Sequence, residues 1–264
     1  MDHRTVNSHR ILATLLCAAA LASCDKNAVQ PVVFEPLVGA RIKFFNFGVN
    51  APQVNFYADQ TKLTAIQSGT GSEATTGVAY GAVGNGGAYS QITPGSHTLT
   101  GRIAATIDKD TAVAIVNATL ADGKLYSLYM CGFYNSTTKK VDAFVLEDPV
   151  TPPTDYAVAY VRFVHTISNA NPLILYAQYT TGDTTRVDTV TAAVAYKAAS
   201  AFMTVPEGVY NLFARYTDST TNKVTRTGVS LLGGRIYTVG ARGDITITST
   251  TATNRPFLDN TANR

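Results

Sequence analysis

Six groups of residues in this sequence are of types that do chemistry, and their spacing decides what chemistry that is. His97 and His165 are the only histidines beyond the first ten residues. An imidazole serves as acid, base or metal ligand, but neither has a Cys, His or carboxylate at ligand spacing. Ser136-Thr137-Thr138-Lys139 matches the Ser-x-x-Lys pattern of acyl transfer, without the Ser-Asp-Asn and Lys-Thr-Gly companions that pattern needs. The glycine-rich stretch 81–89, GAVGNGGAY, does not have phosphate-loop spacing and reads as a flexible strand connection. Asp108-Lys109-Asp110 does not continue with further oxygen ligands at calcium-loop spacing. Glu147-Asp148 borders a proline-rich segment, where carboxylates are expected to be solvated. Cys131 has no base nearby in sequence to make it a nucleophilic thiolate. The expectation is no catalytic, metal or cofactor site, and so not an enzyme.

One cysteine has a different chemistry. Residues 1–10, MDHRTVNSHR, carry Arg4 and Arg10 ahead of an apolar run from Ile11 that ends Leu21-Ala22-Ser23-Cys24. The run is shorter than the roughly 20 residues that cross a bilayer and suits a secretory signal. Its ending resembles the bacterial lipobox, which implies a diacylglyceryl thioether on Cys24 and cleavage after Ser23. Acyl chains contribute about 0.8 kcal/mol per buried CH₂, so two or three hold a protein on a membrane. With Cys17 in the signal and Cys24 acylated, Cys131 is left single, and no internal disulfide is expected.

The elements that would position these residues come from a chain that is 45% hydrophobic and 15% charged, which is globular in composition. Its formal charge of +3 is spread along the sequence, so nucleic acid is excluded as a partner. Proline marks two breaks. Residues 24–38 read as a lipidated tether behind the signal at 1–23, and residues 150–155, in EDPVTPPTD, as a linker.

On either side of that linker the chain repeats itself. ARIKFFNFGVNAPQVNFYA from Ala40 is followed, 119 residues later, by AYVRFVHTISNANPLILYA from Ala159. Further blocks recur in the same order: VAY at 78 and 194, ITPGSHTL at 92 and VPEGVYNL at 205, GKLYSL at 123 and GRIYTV at 234. Apolar residues alternate with a period of two, and turn clusters such as GVNAP, ADG and LGG separate them. The reading is all-β: two tandem immunoglobulin-like antiparallel sandwiches, residues 39–149 and 156–264, each expected to fold by itself. Ile42, Phe44, Val54, Phe56, Val161, Phe163, Leu173 and Leu175 are the expected core.

The duplication is also an internal control. His97 aligns with Tyr210 and His165 with Asn46, so both histidines read as structural rings or backbone bridges. Cys131 aligns with Arg242 and alternates away from the core, so it is expected to be partly accessible. Tyr129, Phe133 and Tyr134 cluster in LYMCGFYN, the one candidate for an aromatic sugar platform in a chain without Trp. Triplets beginning at Asp110, Asp183, Asp188 and Asp218 resemble acceptors of bacterial O-glycosylation.

YVRFVHTISNANPLILYA and VPEGVYNLFARY resemble a family of secreted bacterial β domains known as domain-of-unknown-function family 4397. The resemblance covers most of both copies and implies a fold and an extracytoplasmic life, with no activity attached. Copy one departs from it at Asn46 and at Phe47-Gly48-Val49. The whole then reads as a non-enzymatic binding or structural module on the bacterial envelope, outer membrane or cell surface. Its partners are the membrane, through the lipid, and an envelope protein or glycan. The alternatives are a surface glycan-binding lipoprotein and an enzyme with its site between the two domains.

Overall fold

The computed structural model describes residues 38–64, 76–182 and 184–263. The signal, Cys24, the tether up to residue 37 and Asp183 lie outside them. Each copy is a sandwich of two sheets. In the first, β1 (Ala40–Asn46), β4 (Ala82–Val83), β5 (Ser90–Ile92), β8 (Leu125–Asn135) and β9 (Lys140–Glu147) form one sheet. The other sheet is β2 (Val54–Ala58), β3 (Thr61–Lys62), β6 (Gly95–Ile103) and β7 (Ala112–Leu120).

The second copy repeats this arrangement. β10 (Val158–His165), β13 (Ala198–Ala199), β14 (Met203–Pro206), β17 (Ile236–Arg242) and β18 (Phe257–Ala262) make the five-stranded sheet. β11 (Leu173–Tyr179), β12 (Val187–Thr189), β15 (Gly208–Tyr216) and β16 (Val224–Leu231) make the four-stranded one. All pairings between these strands are antiparallel except one in each copy, β1 with β8 and β10 with β17. Those parallel pairs join the first strand of a sandwich to a late one, so both begin at the same end.

The alternation does what the sequence leads one to expect. All eight expected core residues are at most 1% exposed. Ile42, Phe44, Val54 and Phe56 lie in one cluster, with the Phe44 and Phe56 rings stacked at 5.0 Å, and the other four lie in a second. The glycine-rich stretch is no loose connection: β4 pairs with β1 through Phe45 and Val83, and a short 3-10 turn at Gly84–Gly87 follows.

What alternation does not indicate is what covers the other face of the five-stranded sheets. A third cluster answers that. Phe45, Phe47, Tyr129, Cys131 and Phe144 point away from the core of their own sandwich and pack with Val164 of the second copy, against Tyr196 and Ala199. The two five-stranded sheets face each other across this cluster, and the described residues from 38 onward fall in one compact unit.

Candidate functional site

Among the described residues the buried charged side chains, Lys43, Asp148 and Arg162, converge in this junction, arranged about an approximate two-fold axis. Aligning the copies relates Lys43 to Arg162, Tyr89 to Phe202, Ser127 to Thr238 and Asp148 to Asn263. The contacts obey the same relation. Lys43 Nζ donates to Ala262 O at 2.7 Å, and Arg162 Nη1 donates to Glu147 O, the homologous carbonyl, at 3.1 Å. Lys43 sits 4.4 Å from the Tyr89 ring centroid, and Arg162 sits 5.2 Å from that of Phe202. Ser127 Oγ donates to Asp148 Oδ2 at 2.6 Å, while Asn263 Nδ2 donates to Thr238 Oγ1 at 2.9 Å.

Asp148 is the centre of the network. Its carboxylate pairs with Arg162 Nη2 and accepts from Ser127 and from Tyr89 Oη at 2.7 Å. Both charged side chains are 1% exposed or less. The expectation of a solvated Asp148 is therefore wrong: the carboxylate leaves β9 at the mouth of the junction and the second sandwich closes over it. A buried charge needs a partner and further hydrogen bonds, and this one has three donors. Burial, only partly offset by Asp148, lowers Lys43 to about 8. Burial, with Asp148 beside it, also holds the Tyr89 phenol above its usual value.

Cys131 corrects a second expectation. It does leave its own core, as the repeat implies, yet it is 0% exposed, because the face it points to is the junction. Its Sγ lies 3.2 Å from Tyr196 Oη of the second copy, and burial pushes the thiol up to about 12. The homologous Arg242 likewise crosses to Tyr80, the counterpart of Tyr196, at 4.9 Å. Near the axis the symmetry breaks for steric reasons. Tyr129 stacks between Phe45 and Phe144, and its counterpart is Gly240, where a Cβ would lie 2.9 Å from the Phe47 ring. Two tyrosines could not both occupy that space.

The other candidates are placed as follows. His165 Nε2 faces Asn171 O at 3.2 Å, and Asn46 Nδ2 donates to the homologous Pro52 O at 3.1 Å. Burial holds His165 at about 4, so it is neutral at ordinary pH. His97 Nε2 faces Thr93 O and Tyr210 Oη donates to Pro206 O, again homologous carbonyls. His97 Nδ1 faces Asp59 Oδ2 at 2.8 Å, in a shallow depression of about 450 Å³ lined by Ser96, Thr98, Asn117 and Thr119. Both ring nitrogens thus face acceptors, and the hydrogen bond to Asp59 raises His97 above its ordinary value.

Lys139 of the Ser-x-x-Lys segment pairs with Asp108 of the Asp-Lys-Asp segment, tying two turns together. The aromatic cluster is dispersed: Tyr129 lies in the junction, Tyr134 packs on the core of the first copy, and Phe133 is 43% exposed. Among the described residues, no group of three His, Cys, Asp or Glu gathers closely enough to hold a metal ion.

The model of the family described as "Domain of unknown function (DUF4397)" matches residues 40–176 and again 159–263. The chain belongs to that family. The two matches overlap over 159–176 and begin at the first strand of each sandwich, β1 and β10, so this DUF4397 protein is a tandem of the family's domain. No curated protein matches it in sequence. Among solved structures, "The Bacillus anthracis TIE protein" aligns with 78% of this chain at 11% identity and a TM-score of 0.24. This chain spans about a third, 34%, of that protein's length.

Proposed function

We propose that this DUF4397 tandem is a lipid-anchored module of the bacterial envelope, non-enzymatic, acting as a binding or structural element. One observation carries the reading. The residues best suited to acid–base or electrostatic chemistry (Lys43, Asp148 and Arg162) are buried in joining the two sandwiches, where a substrate has no access to them. The enzyme alternative placed a site between the domains, and that space is filled by Phe45, Phe47, Tyr129 and Phe144. His165, Asn46, His97 and Tyr210 bind loop carbonyls, which is support for a scaffold.

The anchor is read from Leu21-Ala22-Ser23-Cys24 behind the apolar run, and an outer-membrane or surface location is the favoured address. The Cys24→Ser variant tests it. The chain should move to the soluble fraction or remain an uncleaved precursor, and incorporation of labelled fatty acid should vanish. Labelling that persists at the wild-type level in Cys24→Ser means that the protein is not anchored through this residue.

A further inference from the structure

The two sandwiches lie side by side with the same polarity. Near the strand beginnings Lys43 reaches Ala262, and Arg162 reaches Glu147. Near the strand ends Cys131 reaches Tyr196, and Arg242 reaches Tyr80. Beginnings therefore meet beginnings, and one end of the molecule collects Val38, where the described chain starts, with the linker and the turns after β7 and β16.

That end carries exposed apolar side chains. Val38 is 75% exposed, Tyr156 72%, Leu232 55% and Val209 40%. Tyr156 and Leu232 are neighbours: the Tyr156 ring lies over Gly234, in the same turn as Leu232. The charges around them are mixed. Lys124 pairs with Glu147 at 2.8 Å, Asp122 accepts from Gly39 N, and Arg235 is exposed on a stem long enough to turn its head to water.

We propose that this end rests on the lipid surface, with Tyr156 and Leu232 at headgroup depth. The proposal rests on the anchored reading above. Only residues 25–37 separate Cys24 from Val38, and a chain of that length spans at most about 50 Å, so the end where Val38 lies is the one the anchor holds nearest the bilayer. An amphipathic Tyr beside a Leu suits the membrane–water boundary. A second contact of this kind adds to lipid anchoring without charge selectivity.

The chain has no tryptophan, so Leu232→Trp places a single indole on an exposed residue. The mature chain is coupled through Cys24 to a maleimide phospholipid, Cys131 being buried. It is then seated on vesicles of phosphatidylcholine with brominated acyl chains. Emission from position 232 should shift to the blue and lose most of its intensity. Ile107→Trp, in the turn at the opposite end and 79% exposed in the parent, should do neither. No quenching at 232 would mean that this end stands clear of the bilayer. Equal quenching at both positions would mean that the molecule lies on its side. A blue shift that grows with protein concentration without vesicles would mean that a second copy covers the end. Each of these three overturns the proposal. Chemical coupling keeps the test independent of acylation in the cell, whose failure the fatty-acid labelling of the wild-type chain reports separately.

Discussion

Replacing Asp148 with Ala should destabilise the protein by about 3–5 kcal/mol, the cost of leaving a buried charge without its partner. The guanidinium of Arg162 would remain 1% exposed with Glu147 O and Thr238 Oγ1 as its hydrogen-bond acceptors, neither of them charged. Ser127 and Tyr89 would each lose an acceptor as well. The effect belongs to the pair and not to the carboxylate alone. The double variant Asp148→Leu/Arg162→Met should recover much of the loss, because replacing a whole buried ion pair by apolar side chains is often neutral. Asp148→Asn should fall between, since its amide can still accept from Ser127 and the homologous position of the second copy is Asn263. Equilibrium unfolding in urea reads all three. A loss below about 1 kcal/mol for Asp148→Ala would show that water, and not the second sandwich, covers the carboxylate.

Phe163→Ala should cost a similar amount, about 3–5 kcal/mol, for a different reason. Its ring is 0% exposed in the core of the second sandwich, among Val161, Leu175, Val239 and other apolar neighbours that cannot collapse into the space it leaves. No charge is stranded, so the loss is insensitive to salt. Phe163→Leu, which keeps most of the volume, should lose considerably less. If urea unfolding shows less than about 1 kcal/mol for Phe163→Ala, the ring does not point into the core.

The contrast between these two residues shows how far the sequence could be read. Phe163 was legible because a period of two, repeated at a constant offset, assigns one face of each strand to a core. The carbonyl-binding roles of His165 and Asn46 were legible because each copy checks the other. The junction was not, because alternation separates two faces without saying what covers the second. Asp148 looked solvated beside three prolines, and Cys131 looked accessible opposite an arginine. A signal was present nonetheless. The outward positions Phe45, Phe47, Tyr129 and Phe144 are aromatic, where a solvated sheet face would carry polar side chains, the mark of a face that is covered. Lys43 and Arg162, at one repeat position on that same face, are charges that such a cover obliges to find partners.

Cys131 gives the most direct test of the central claim that the two copies are docked sheet to sheet. Its thiol points out of its own sandwich into the junction, where Tyr196 of the second copy lies against it. In native Cys24→Ser protein at neutral pH, a maleimide should react with Cys131 only after denaturant is added. Rapid reaction of Cys131 with the native protein, its β-type circular dichroism unchanged, would mean that the two sandwiches are separate and the junction does not exist.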